Sequence, residues 1–233
     1  MTWIVPKIWD GGDVWILGGG PSITKQFQIP TGLVQGVLSG VKPLSEYSSY
    51  MEPIHTKHVI GINVAFLIGN WIDMTFFGDT NYFLRYKEQM QQFPGLKVSC
   101  CPAVTKDYWV KFLIKDTNHI RGISDNPKAV SWNGNSGAAA ISVAANTGAK
   151  RIFLLGFDMK LDDVSQEQHW HSLYKQASRN ERPRKGLPFK RHMVGFPAIA
   201  QDAKRRKIEI INVNPGSAIE DFQKVSLSDA LKM

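Results

Sequence analysis

Six short apolar runs, each ending at Gly, Asn or Pro, constrain this chain more than any other feature. Val14-Trp15-Ile16-Leu17 runs into Gly18-Gly19-Gly20, Val59-Ile60-Gly61-Ile62 reaches Asn63, and Met74-Thr75-Phe76-Phe77 reaches Gly78-Asp79. Val98-Ser99-Cys100-Cys101 ends at Pro102, Arg151-Ile152-Phe153-Leu154-Leu155 at Gly156-Phe157-Asp158, and Ile208-Glu209-Ile210-Ile211 at Asn212. Runs this short and this apolar suit strands covered on both faces, as in a parallel sheet. Helical patterns lie between them. Thr80 to Gln92 opens on capping residues, and Thr105 is placed to cap a helix bearing Trp109, Phe112 and Leu113. Asn135 can cap Ser136 to Thr147, an Ala-rich segment with Gly148 as its stop. A last helix is expected from about Gly195 to Lys207, where Phe196, Ile199, Ala200 and Ala203 follow helical spacing and Pro197 suits the first turn. The alternation predicts an α/β, Rossmann-like doubly wound fold, a mostly parallel sheet with helices on both faces. Residues 1–233 read as one nucleotide-binding domain, with irregular insertions at about 24–57 and 162–191 where Gly, Pro and polar residues break the pattern.

The 233 residues are enough for one full core. No apolar run approaches the roughly 20 residues of a membrane helix, and the first ten residues do not read as a secretory leader. The two cysteines, Cys100 and Cys101, are adjacent and outside any CxxC pattern, which suggests reduced thiols and a cytoplasmic protein. The net charge of +8 is concentrated: Lys175 to Lys207 holds eleven Lys or Arg against two acids, leaving the rest near neutral. Such a block can be a solvated loop or a contact for a polyanion.

In a parallel α/β sheet, ligands bind beyond the carboxyl ends of the strands. The ends named above collect Gly18, Gly19, Gly20, Ser22, Asn63, Asp79, Asp158 and Asn212. The glycine loop followed by Pro21-Ser22 reads as a phosphate cradle at a helix start, although it is neither GxGxxG nor a Walker A loop. Asp79 is either a helix cap or a ligand. Asp158 ends another apolar strand, and two such carboxylates could hold Mg²⁺ on a nucleotide phosphate if the fold brings them together. His55, His58 and His119 stand outside any constellation. His169-Trp170-His171, if extended, places two imidazoles on one face, as in a metal pair. His192, beside Lys190 and Arg191, is a candidate general base with its pKa lowered by those cations.

Taken in order, these blocks resemble two related groups. Trp15 to Ser22, Ile62-Asn63-Val64-Ala65-Phe66, Phe77-Gly78-Asp79-Thr80, Asn135-Ser136-Gly137-Ala138-Ala139 with Ile152 to Asp158, and Asn214-Pro215-Gly216-Ser217-Ala218 are similar to blocks of the family 42 bacterial sialyltransferases. They are also similar to those of the 6-hydroxymethylpterin pyrophosphokinases. Uncharacterised phage proteins with the same blocks share the His-Trp-His triplet. The first resemblance implies a metal-free transferase using a CMP-sugar, its nucleotide held by Gly19, Gly20, Ser22 and Asn63 with Ser136 and Gly137 closing on it. The catalytic base then falls on His192, with His171 as its rival. Gly19 and Asp79 depart from this pattern, since the sialyltransferases carry Asn at both places. The second resemblance implies Mg²⁺-dependent diphosphate transfer from ATP to a pterin-like alcohol. A third function on the same fold is nucleic-acid binding without catalysis, through the basic block with Trp170, Tyr174 and Phe189. The partners expected are a nucleotide or nucleotide-sugar, a polyanion along 175–207, and a second copy of the chain.

Overall fold

A computed structural model describes residues 2–173 and 186–233 of the chain. The apolar runs are strands: β1 (Asp13–Leu17), β2 (His58–Ile62), β3 (Met74–Phe77), β4 (Leu96–Ser99), β5 (Lys111–Phe112), β8 (Arg151–Leu155), β9 (Glu209–Asn212) and β10 (Gln223–Lys224). Among the described residues they form an eight-stranded sheet in the order β10-β9-β8-β1-β2-β3-β4-β5, with every neighbouring pair parallel. A separate parallel pair joins β6 (Ile114–Lys115) to β7 (Ala129–Val130).

Alternation along each strand divides the side chains between two cores. Trp15, Leu17, Val59, Phe77, Phe153, Leu155 and Ile211 face one side; Val14, Ile16, Ile60, Ile62, Phe76, Ile152, Leu154 and Ile210 face the other. Each such fully buried aliphatic or Phe side chain contributes roughly 1.5–3 kcal/mol. The first face is covered by α1 (Ser22–Gln26), α2 (Thr31–Leu38), the 3-10 helix Leu44–Ile54 and α3 (Thr80–Gln92). The second is covered by α4 (Ser136–Asn146) and α6 (Phe196–Arg206), with α5 (Phe189–Met193) just before the latter. A short α7 (Leu227–Ala230) closes the chain. Small residues in α4 let its backbone lie close over the sheet, and Gly148 ends it with φ +94°.

The doubly wound parallel architecture is the one the sequence predicts. Three local expectations differ. The segment 24–57 is largely helical, and its Val37, Leu44, Tyr47, Met51 and Ile54 are buried in the first core. No helix follows Thr105. Its hydroxyl closes a 3-10 turn on Pro102, and Lys111–Phe112 pairs with β4, so Phe112 extends the sheet. His169 to His171 forms a bend rather than a strand.

Candidate functional site

The strand order reverses between β1 and β8, so the loops leaving these two strands part toward opposite faces and open a crevice at their carboxyl ends. A cleft of about 950 Å³ lies there. Gly18, Gly19, Gly20, Asn63, Asp79, Ser136, Gly137, Asp158, His171 and His192 all line it, whereas Ser22 does not.

The glycine loop is held by protein. Gly18 N–H donates to the Leu155 carbonyl and Gly20 N–H to the Gly156 carbonyl, both at 2.8 Å. Ser22 donates its N–H (3.2 Å) and hydroxyl (3.1 Å) to the Asp158 carboxylate, and Asn214 Nδ2 donates to the same carboxylate at 2.8 Å. Asp158 is only 5% exposed, and burial raises its pKa while the Ser22 bonds pull it back down. It therefore ties together the loops after β1, β8 and β9. Gly20 is required by close approach, because a methyl there would overlap that carboxylate.

Two expectations change as a result. The amides of Gly18, Gly20 and Ser22 are engaged inside the protein, so the loop shapes the cleft floor rather than cradling a phosphate with those three groups. Asp158 and Asp79 are likewise each engaged by protein donors. Asp79 caps α3, accepting from the amides of Asn81 (2.9 Å) and Tyr82 (3.3 Å), and Asp158 accepts from three donors. Among the described residues no group of three or more His, Cys, Asp or Glu is placed to hold a metal, the His-Trp-His triplet included.

The start of α4 offers what the glycine loop does not. Asn135 Oδ1 accepts from Ala138 N–H at 2.8 Å, while its Nδ2 donates to the His192 carbonyl at 3.0 Å. One side chain thus caps α4 and draws α5 against it. Ser136 and Gly137, in the first turn of an eleven-residue helix, face the cleft. The Arg191 guanidinium lies 3.3 Å from His192 Nε2.

Opposite, Asn63 ends β2 with φ +52°, a left-handed conformation Asn tolerates, and its buried Oδ1 has no hydrogen-bond partner among the described residues. Met159, also in the lining, has φ +51°. Such outliers gather at ligand sites.

The His-Trp-His triplet, missed as a structural element by its sequence, holds the glycine loop from above. Trp170, 1% exposed, donates its indole N–H to the Gly18 carbonyl (2.9 Å) and its backbone N–H to the Gly19 carbonyl (3.3 Å). His169 Nδ1 lies 3.2 Å from the Gly19 carbonyl, and its ring fills the space a side chain at position 19 would enter. The His171 ring is stacked at 5.5 Å on His169 and set edge-on to Trp170 at 4.7 Å. His171 is 2% exposed, and burial, with His169 adding to it, holds its pKa well below the usual 6.5. It is neutral at pH 7.

The basic block divides. Residues 175–185, and Tyr174, lie outside the described residues. Arg205 pairs with Asp125 at 2.8 Å, and Arg206 donates to the Ala145 carbonyl and Asn146 Oδ1 at the carboxyl end of α4. Arg206 is thus tied to the end of α4, Arg205 stays at the surface, and buried Trp170 has no face for stacking a base. Among the described residues no helix is long and apolar enough to cross a membrane.

The fold is similar to that of two solved glycosyltransferase structures. The MAf glycosyltransferase of Magnetospirillum magneticum AMB-1 superposes with a TM-score of 0.58 at 10% identity, covering 97% of this chain and 35% of that one. This chain thus spans about a third of that enzyme's length. The monofunctional alpha-2,3-sialyltransferase Cst-I of Campylobacter jejuni superposes with a TM-score of 0.50 at 15% identity, covering 92% and 80%. No family model and no curated protein matches the sequence.

Proposed function

We propose that the chain is a nucleotide-dependent glycosyltransferase acting on a CMP-sugar without a metal. The observation that carries this reading is the pairing, across one cleft, of the α4 amino terminus with the unpartnered Oδ1 of Asn63. The first suits a phosphate through its amides and dipole, with Arg191 beside it; the second offers an acceptor to a base or ribose donor. The carboxylates being otherwise engaged supports the metal-free reading over diphosphate transfer. In the reaction, the bond between the sugar's anomeric carbon and the phosphate oxygen breaks as the acceptor oxygen bonds to that carbon. His171, neutral and oriented by Trp170 and His169, takes the acceptor's proton. The leaving phosphate is stabilised at Ser136 and Gly137, with His192 and Arg191 on its flank.

A thermal-shift screen of CMP, CDP, ATP and GTP, each with EDTA or Mg²⁺, tests the reading. CMP in EDTA at about 100 times its Kd should raise the melting temperature by about 5–10 °C, from roughly 2.7 kcal/mol of linkage. ATP stabilising only with Mg²⁺ would favour diphosphate transfer, and no shift with any nucleotide would refute both.

A further inference from the structure

The wall of the cleft formed by α3 takes no part in the nucleotide reading, yet it is lined with polar side chains. Asp79 starts the helix at the cleft edge, which sets Asn81, Tyr82, Arg85 and Tyr86 on the helix face lining the cavity. Tyr82 and Tyr86 are each 8% exposed, with ring centroids 5.1 Å apart. Tyr82 also packs at 5.3 Å on Phe77 of β3, so both rings are anchored in the core and present only their outer edges. Arg85 is exposed beside the Tyr86 hydroxyl, whose pKa burial raises and the guanidinium pulls back. On the same helix Lys87 is paired with Asp107 at 2.6 Å, whereas Arg85 has no carboxylate partner among the described residues. A guanidinium fork with no carboxylate partner, hydrogen-bonded to the Tyr86 hydroxyl and facing a cavity beside two aromatic rings, is suited to a carboxylate on a ring.

We infer that this face of α3 is the acceptor subsite and that the acceptor is a carboxylate-bearing sugar, its carboxylate on Arg85 and its ring against Tyr82 and Tyr86. The inference rests on the glycosyl-transfer reading for the acceptor's role, but the binding itself does not. Arg85 thereby sets acceptor specificity, while the phosphate is held at the other wall by α4.

Saturation-transfer NMR with methyl β-glucuronide and methyl β-glucoside, against the wild-type chain and Arg85→Gln, with and without CMP, tests it. The glucuronide should bind at least about tenfold more tightly than the glucoside, the gain expected of a charge-assisted fork. Arg85→Gln should bring the glucuronide down to the glucoside's level, with the melting temperature and any CMP-induced shift unchanged, and Arg85→Lys should restore part of the difference. Equal binding of the two sugars, binding of neither, or an unaltered glucuronide affinity in Arg85→Gln would overturn the subsite. Glucuronide discrimination without any CMP shift would remove the nucleotide reading and leave the subsite standing.

Discussion

Gly20→Ala should destabilise the chain by about 3–5 kcal/mol, among the largest losses any single methyl can cause here. The added carbon would overlap the Asp158 carboxylate and lie 2.6 Å from the Gly156 carbonyl oxygen. Neither can retreat easily. Asp158 is fastened by Ser22 and Asn214, and its backbone carbonyl accepts from Ala218 N–H at 2.9 Å. Relief therefore means breaking charge-assisted bonds in a buried place, which costs more than ordinary overpacking. Urea denaturation measures the loss, and a cost under about 1 kcal/mol would show that the loop is far looser than described. Pairing the change with Asp158→Ala should be clearly less than additive, because the two act on one contact.

Trp170→Ala should cost a similar 3–5 kcal/mol, typical of truncating a buried Trp, and should also abolish CMP-induced stabilisation. The indole fills the first core beside Tyr47, with centroids 5.9 Å apart, and its N–H holds the Gly18 carbonyl. Removing it leaves a cavity, releases the loop from above, and frees the ring of His171 that it orients. Trp170→Phe separates the two roles. It keeps most of the packing and forfeits the indole hydrogen bond, for a loss of about 1–3 kcal/mol, well short of the alanine variant. Equal losses in the two variants, measured in the same denaturation series, would assign the whole effect to the hydrogen bond and contradict the packing role.

These two positions also show where the sequence is readable. The strands were legible because a strand buried on both faces has no polar alternation to disguise it. Thr80–Gln92 and Ser136–Asn146 were legible because capping is local, a matter of Asp79 and Asn135 with residues two or three positions on. The segment 24–57 hid its helical spacing of Leu44, Tyr47, Met51 and Ile54 among Ser, Gly and Pro, with Pro53 inside the 3-10 helix. Lys111–Phe112 was misread because a strand at a sheet edge is chosen by its partner, β4, not by its own residues. Residue by residue, the glycine loop and Asp158 were found, but what they do was not. Asp158 meets Ser22 across 136 positions and Asn214 across 56, and no local rule carries that information. The same distance concealed the seating of His169 on Gly19 and the facing of Arg85 into the cleft.

The central claim, a nucleotide held between the start of α4 and Asn63, is tested most directly by titrating CMP in EDTA into the ¹⁵N-labelled chain and mapping the amide shifts. The account predicts the largest changes at Gly19, Asn63, Ser136 and Gly137, and at least about tenfold weaker binding in Asn63→Ala, the loss expected when a buried hydrogen bond goes unmade. An absence of shifts, or shifts confined to the basic end of α6 with Asn63→Ala unaffected, would contradict it.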